Sequence, residues 1–484
     1  MIARSAPPRW SLVLAAIAAA SLAAGSPGQS AADAGGTSLE DQLKQMQKEL
    51  ESLRSENKDM RGEIDELRAS TQDNWLTEQR TEEIRAIVQD VLADSETRSS
   101  LLNDGLAAGW SEHFFLASPD GRFLLILEGL MQTRFMFSGE GGHDYQYGFE
   151  NARTYLTFRG HVFTPDLTYL VRGNFSSETQ QLNNSQGNVG AILPGGFMQL
   201  LDAWVRYNLD DTWSVRVGQF KLPYNREELV YSADQQIVER SLVNQMMSIG
   251  RSQGLELTHV KNQSRLALMY SDGATVNQRN FSAVIGGSGA NSQAMTSPAD
   301  YAVTTRYEHL IAGNWEQFRD FTSPRGEESG IMAGLAAHYQ KAETNETPFF
   351  AAAADLSWEF GGANAFVGAT YWYIDSRANG IFDVFGIVGQ VGIYVAPKWE
   401  FYVRGEYMQA ENRAAGAGAI PFADLGIFTL GANYYIEGQD VKWTSDVGFS
   451  VTPVSFFFAN NLAGWRADPT DGEIVFRTQL QLQF

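Results

Sequence analysis

The carboxyl-terminal stretch, residues 474–484, reads IVFRTQLQLQF, and its apolar and polar side chains alternate. The even-numbered positions are apolar apart from a threonine, and the odd-numbered positions carry a valine, an arginine and three glutamines. Side chains of a β-strand point alternately to opposite faces, so this period of two predicts a strand with one apolar and one polar face.

The same alternation recurs upstream, in residues 123–137, 153–162 and 201–208. In the last of these, Leu201, Ala203, Val205 and Tyr207 form the predicted apolar face. Beyond residue 105 there are about sixteen such segments of roughly eight to fifteen residues, near the length that a tilted strand needs to cross a bilayer. A soluble β-sandwich also alternates, so alternation alone does not place the chain in a membrane.

The connections between segments decide between these folds, because they are alternately short and long. The short ones are 164–166, 209–211, 261–263, 361–362, 396–398 and 437–440. The long ones lie around 138–148, 176–196, 221–251, 272–299, 341–348, 376–383, 410–423 and 451–472. Short turns opposite long external loops are typical of outer-membrane barrels. We therefore predict an all-β transmembrane barrel of about sixteen antiparallel strands over residues 110–484. The long stretch 311–329 falls on the short-turn side, so either a strand is misassigned there or that turn is elaborated.

Composition narrows the possible functions. The 484 residues include 36 Lys+Arg and 57 Asp+Glu, a net charge of −21 that argues against a nucleic-acid partner. Cysteine is absent, which excludes a disulfide framework, a thiolate zinc site and a cysteine nucleophile. The six histidines are scattered without H-E-x-x-H spacing, and no nucleophile-elbow, Walker A or dinucleotide motif occurs. We predict a protein that is not an enzyme and has no metal or cofactor. The enzyme alternative is an outer-membrane lipase or protease.

The amino-terminal region predicts a targeting segment followed by helix. Two arginines precede an apolar run at 12–24, and an A-x-A sequence follows at 32–34, so residues 1–34 predict a secretory signal peptide. The alternative is a lone membrane anchor. Residues 35–72 carry a heptad seam whose a positions are Leu43, Leu50, Asn57 and Ile64. This favours a periplasmic coiled coil whose Asn57 fixes the register, although a single amphipathic helix remains possible. A helical linker is predicted over 73–109.

Three motifs, in this order and spacing, resemble the phosphate-selective porin O and P family. They are FFL at 114–116 with SPDG at 118–121, VGQFKLPY at 217–224, and ERS at 239–241 followed by Arg251. The resemblance extends from about Gly109 to Phe484. It implies a sixteen-stranded, usually trimeric channel in the outer-membrane lipid. It also implies that the barrel-assembly machinery recognises the terminal Phe484. It also implies that the third external loop, 221–251, folds inward and narrows the channel.

Basic residues in this loop and on the polar parity of the strands are the candidate pore-lining residues. The loop offers Lys221, Arg226, Arg240 and Arg251, balanced by Glu227, Glu228, Asp234 and Glu239. The strands offer Arg134, Arg153, Arg159, Arg172, Arg206 and Arg216. Fixed positive charges along a narrow passage favour anions, so we expect diffusion of small hydrophilic solutes, in particular anions such as phosphate. Alternatively, these arginines pair with acids such as Glu128 and Asp202.

The loop departs from the family pattern because 231–236 contains no lysine.

A second hypothesis for the whole protein is a structural outer-membrane anchor, whose coiled coil tethers the membrane to the cell wall or spaces the two.

Overall fold

The computed structural model describes residues 106–111, 113–139, 145–176, 199–274, 299–342, 348–376, 380–412, 423–454, 463–466 and 472–484. The predicted signal peptide, the coiled coil and most of the helical linker lie outside these residues and stay predictions. The first strand begins at Ala107, inside the predicted linker and three residues before the barrel boundary predicted at 110.

Two short strands precede sixteen longer ones. The short strands are β1 (Ala107–Ser111) and β2 (His113–Ala117). The longer ones are β3 (Phe123–Gly139), β4 (Gln146–Val162), β5 (Thr164–Asn174), β6 (Gln199–Asn208), β7 (Trp213–Lys221), β8 (Arg251–Lys261), β9 (Ser264–Ser271), β10 (Ala299–Ala312), β11 (Gly330–Ala342), β12 (Pro348–Glu359), β13 (Ala363–Ser376), β14 (Gly380–Ala396), β15 (Trp399–Asn412), β16 (Ala423–Glu437), β17 (Val441–Ser450) and β18 (Ile474–Gln483). Each is antiparallel to its sequence neighbour from β3 to β18.

The sheet closes where β18 pairs with β3, from Ile474 opposite Gly139 to Gln483 opposite Leu130. Closure removes the open sheet edges whose backbone groups lipid could not satisfy. The predicted sixteen-stranded antiparallel barrel is therefore confirmed. Among the described residues, no helix has both the length and the apolar character needed to cross a membrane.

The two chain ends of the barrel meet at this seam. Strand β1 pairs with β2, and β2 pairs with residues 124–127 of β3, just beyond the point where β18 ends. The Phe484 N–H donates to the Gly129 carbonyl at 3.0 Å, and the Gly129 N–H donates back at 2.8 Å. The terminal residue thus continues the ladder of β18.

In β18, the strand predicted from residues 474–484, polar side chains point into the barrel and apolar ones point outward. In β18, Gln479 and Gln481 are buried, whereas Leu480 and Leu482 are 52% and 41% exposed on the outer face. A wet interior and a lipid-facing exterior produce this division. The alternation predicted for residues 474–484 is confirmed.

The predicted outward position of Leu201 is wrong. Leu201 is buried and packs inside with Leu130, Tyr155 and Ala233. The register between β5 and β6 shifts between the pairs Arg172–Asp202 and Gly173–Leu200, which leaves Leu201 as an extra residue in a β-bulge. A one-residue offset turns a side chain to the other face of the sheet.

Seven of the connections between β3 and β18 lie at one end of the barrel, which we call the turn end; the opposite end is the loop end. Most short turns lie where predicted, but the one predicted at 164–166 is centred on Phe163, between β4 and β5. The connection 313–329 between β10 and β11 also lies at the turn end and contains a 3₁₀-helix, Gln317–Arg319. No strand is misassigned there; the turn is elaborated, and we call it the long turn.

Gly218 in β7 shows why the motif at 217–224 needs a glycine. Its φ of +132° lies in a region that L side chains rarely adopt. A Cβ there would also collide with the carbonyl oxygen of Ala203 on β6. This glycine therefore allows β6 and β7 to pair closely.

Candidate permeation path

The connection between β7 and β8, residues 222–250, lies inside the barrel, and we call it the inner segment. It contains two short helices, α1 (Arg226–Leu229) and α2 (Leu242–Met247). Its Tyr224 hydroxyl donates to the Ala352 carbonyl of β12 at 2.8 Å. Its Gln236 amide donates to Glu400 of β15 at 2.6 Å. These contacts attach the segment to the inner face of the wall formed by the later strands.

Two wall arginines hold the segment from the opposite side. Arg134 Nη1 lies 2.7 Å from Glu239 Oε2, and Arg153 Nη2 lies 2.6 Å from Glu239 Oε1. Arg134 also pairs with Glu150. The Arg134, Arg153 and Glu239 side chains are at most 7% exposed. Glu239 therefore bridges two strands to the inner segment.

Two arginines of the inner segment itself donate hydrogen bonds to backbone carbonyls. Arg226 donates to the carbonyls of Phe318 and Asp320 in the long turn, at 2.8 and 2.9 Å. Arg240 donates to the carbonyls of Val230 at 2.9 Å and Glu227 at 3.1 Å. Both guanidiniums are buried in contacts that shape the segment.

Carboxylates position helix α2. The Leu242 N–H donates to Glu406 of β15 at 2.5 Å, so a wall carboxylate accepts from the helix N-terminus. The Ser241 hydroxyl accepts from the Asn244 N–H at 2.9 Å as the N-cap. Glu227 in turn accepts from both the N–H and the hydroxyl of Ser241. The sequence ERS at 239–241 thus marks the start of a helix that the wall fixes in place.

The other six predicted basic residues lie together on the five consecutive strands β4–β8. They are Arg159, Arg172, Arg206, Arg216, Lys221 and Arg251. Several face one another across the ladder: Arg206 is opposite Arg216, and Lys221 is opposite Arg251. The fold therefore concentrates on one side of the lumen basic residues that are spread over nearly a hundred positions of the sequence.

Most of these bases contact a carboxylate, which confirms the pairing alternative for them. Arg251 binds Asp202 through two nitrogens at 2.9 and 3.2 Å, and Arg172 approaches the same carboxylate at 3.5 Å. In the same way, Arg159 contacts Glu128 at 2.5 Å, Arg216 contacts Glu256 at 2.8 Å, and Lys221 contacts Glu228 at 3.3 Å. Arg206 makes no ion pair among the described residues.

A cavity of about 600 Å³ separates this wall from the inner segment. Bases, acids and apolar side chains line it together. They are Glu128, Arg159, Leu170, Arg172, Asp202, Trp204, Arg216, Phe220, Lys221, Leu229, Val230, Tyr231, Asp234, Glu316, Arg319 and Gln483. Wall strands, inner segment and long turn all contribute to it.

The long turn borders the cavity at the turn end. Arg319, whose side chain is 66% exposed, lies 3.6 Å from Asp234 of the inner segment. Phe321 packs with Val230 of the segment and with Phe366 of β13, at 4.8 Å between the two ring centroids. The turn and the segment thus meet in both an apolar and an ionic contact.

The titration of two acids in the inner segment, which lies outside the membrane-spanning strands, reflects these surroundings. Burial raises the pKa of Asp234 to about 6, although Arg319 opposes the shift. Burial also disfavours the charged form of Glu228, but Arg240 and Lys221 outweigh it and hold its pKa well below the ordinary range. Asp234 therefore titrates closer to neutral pH than an ordinary aspartate does.

Sequence reasoning missed the aromatic part of this site. Trp204 lies on the polar parity of β6, between Asp202 and Arg206, and this position was a signal that it faces the lumen. The guanidinium carbons of Arg206 and Arg216 lie 5.3 and 5.6 Å from its ring centroids. Tyr231 gave no such signal, because only the path of the inner segment brings it to 4.4 Å from the Arg172 guanidinium.

A closed antiparallel barrel with an apolar exterior and an ionic interior is typical of outer-membrane channels. Residues 133–353 match the family model described as phosphate-selective porin O and P. The resemblance predicted from the motifs is thereby confirmed over this part of the chain. Among the described residues, no group of three or more histidine or acidic side chains has an arrangement that could hold a metal ion.

Individual relatives are distant. An uncharacterized protein of Aquifex aeolicus (strain VF5) is 26% identical over 276 residues, which cover 51% of this chain and 62% of that protein. The anion-selective porin from Comamonas acidovorans is 11% identical, with a TM-score of 0.51 over 74% of this chain and 99% of the porin. The outer-membrane-expressed OmpT of Vibrio cholerae is 11% identical, with a TM-score of 0.46 over 75% of this chain and 98% of OmpT. At this identity, the likeness to the Comamonas porin concerns the fold.

Proposed function

We propose that this protein is a diffusion channel for small anions in the outer membrane, and that the inner segment narrows it. In this proposal the loop end faces the exterior, and solutes pass between the inner segment and the wall strands β4–β8. The observation that carries the proposal is the concentration of six bases on that wall, four of which line the 600 Å³ cavity.

The charge balance of this wall supports anion passage. Five of its six bases contact four carboxylates, Glu128, Asp202, Glu228 and Glu256, so positive charge is in excess. A fixed charge acts strongly across a narrow passage with walls of low dielectric constant. The excess lowers the barrier for anions and raises it for cations, even though the whole chain is acidic.

The contacts of the inner segment support a fixed constriction. Wall residues bind it from both sides: Glu239 is held by β3 and β4, and Gln236 and Leu242 are held by β15. Buried charge-assisted contacts of this kind are among the stronger ones in proteins. The segment therefore restricts the lumen without acting as a mobile flap.

The remaining parts of the proposal rest on the sequence and the family resemblance. They are a homotrimer, recognition of Phe484 by the barrel-assembly machinery, and an amino-terminal coiled coil in the periplasm. Phosphate, the anion that the family description implies, is one of the solutes to be tested.

The reversal potential of the purified full chain in a planar bilayer, across a KCl gradient, tests the proposal. We expect a chloride-selective potential for the native protein. Arg206→Gln should shift it toward potassium because it removes a base that no carboxylate contacts among the described residues. Arg122→Gln is the matched control, since Arg122 lies between β2 and β3 at the turn end and is exposed. A cation-selective native channel would refute the proposal.

A further inference from the structure

The cavity on the proposed path has an amphiphilic lining, which its basic residues alone do not explain. Leu170 and Trp204 come from the wall, and Leu229 and Tyr231 face them from the inner segment. Each of these four side chains is only partly buried. The interior of a water-filled barrel is usually polar, so partly exposed apolar side chains at the cavity need a reason.

Cationic and apolar surfaces adjoin each other here. The guanidinium carbon of Arg172 lies 4.4 Å from the Tyr231 ring centroid, and that of Arg216 lies 3.8 Å from the Phe220 ring centroid. Arg206 lies 5.3 Å from the Trp204 ring. A single small solute could therefore place a negative group on a guanidinium and an apolar body against a ring.

We propose that this cavity binds organic anions that join a carboxylate to an apolar or aromatic body, in preference to inorganic phosphate. The proposal rests on the anion channel proposed above and names its class of solute.

The chemistry of the two ligand classes supports this choice. Phosphate is strongly hydrated and gains nothing from contact with leucine or tryptophan side chains, which would remove its water without replacing the hydrogen bonds. An aromatic carboxylate gains from both surfaces, because its ring leaves water and its carboxylate matches the planar fork of a guanidinium. Small-molecule sites combine apolar lining with a few placed polar groups in the same manner.

Charge and size fit the same class. The five bases and four acids that line the cavity leave one positive charge in excess, which matches a singly charged carboxylate better than a multiply charged anion. A volume of about 600 Å³ lies within the usual range for small-molecule sites. It accommodates a monocyclic carboxylate together with water.

Block of the chloride current tests the inference. The full chain in a planar bilayer in KCl near neutral pH is titrated with benzoate, acetate and inorganic phosphate, and the half-blocking concentration of each is measured. We expect benzoate to act at a concentration at least tenfold lower than either of the other two. Equal block by benzoate and acetate, or strongest block by phosphate, would overturn the inference.

Two variants locate the effect. Trp204→Ala should raise the half-blocking concentration of benzoate at least fivefold and leave that of acetate nearly the same. Trp358→Ala is the matched control, because Trp358 is 49% exposed on the outer face of β12 and should not change benzoate block. Equal benzoate block in both variants would also overturn the inference. If Trp204→Ala does not fold, the comparison of the three anions in the native chain decides alone.

The reversal potential separates the two proposals. A cation-selective native channel refutes the anion channel itself. An anion-selective channel that does not distinguish benzoate from acetate refutes only the solute class.

Discussion

Glu239 offers the most direct test of how the inner segment is held. Its two carboxylate oxygens accept from Arg134 at 2.7 Å and from Arg153 at 2.6 Å, and its side chain is 4% exposed. Glu239→Gln keeps the shape but removes the charge, so two buried guanidiniums lose an anionic partner. We expect the segment to detach locally from β3 and β4 more often.

The magnitude follows from the burial of the bridge. Removing one partner of a buried ion pair costs about 3–5 kcal/mol, because the remaining charge stays buried. The lower end applies here, since Arg134 retains Glu150 and Arg153 retains the side-chain oxygen Oε1 of Gln132 at 3.2 Å. About 3 kcal/mol corresponds to roughly a hundredfold rise in the open population, at a factor of ten for every 1.4 kcal/mol or so.

Hydrogen exchange of the backbone amides measures this opening, because exchange of protected amides follows the local opening equilibrium. Amides near residues 239–244 should exchange about a hundredfold faster in Glu239→Gln. Glu150→Gln is the control, because Glu150 binds the same Arg134 but is 29% exposed. A partly exposed pair is worth up to about 1 kcal/mol, so this variant should change exchange by no more than about fivefold. Similar exchange rates in the two variants would show that the Glu239 bridge does not hold the segment.

Two further predictions concern the pH response and the wall. Burial raises the pKa of Asp234 to about 6, so its carboxylate and its ion pair with Arg319 are present above that pH and lost below it. The chloride selectivity should therefore be greater near pH 5 than near pH 7.5. The free energy of unfolding should fall as the pH rises from 3.8, the ordinary pKa of an aspartate, to about 6, since only the folded state retains the proton in this range. A pH response that persists in Asp234→Asn would contradict this prediction. Gly218→Ala should lower the free energy of unfolding in detergent by about 1–3 kcal/mol or more, because alanine is strained at this φ and its Cβ meets the Ala203 carbonyl. Gly405→Ala, where a Cβ meets no atom within 4 Å, is the control, and equal losses in the two variants would refute the argument.

Local periodicity and the alternation of short and long connections were together enough to predict the barrel. Alternation in residues 474–484 depends only on which side of a strand meets lipid and which meets water, so it can be read without knowing the strand's neighbours. The alternation of short and long connections placed most turns correctly and kept the right phase through the long turn at 313–329. The failure at Leu201 has a local cause of a different kind, since a β-bulge depends on the register against β5, which no single segment specifies.

Tertiary structure alone decided what each basic residue does. Arg134 and Arg172 occupy equivalent polar positions in the sequence, yet the first is buried against Glu239, 105 residues away, and the second lines the cavity. The path of the inner segment across the lumen determines this difference, and it also brings Tyr231 opposite the wall. Side-chain periodicity reports the face on which a residue lies, whereas its partner depends on contacts between distant parts of the chain. The sequence by itself therefore determined the barrel and its polar interior, and the fold determined where that interior stays open and what lines it.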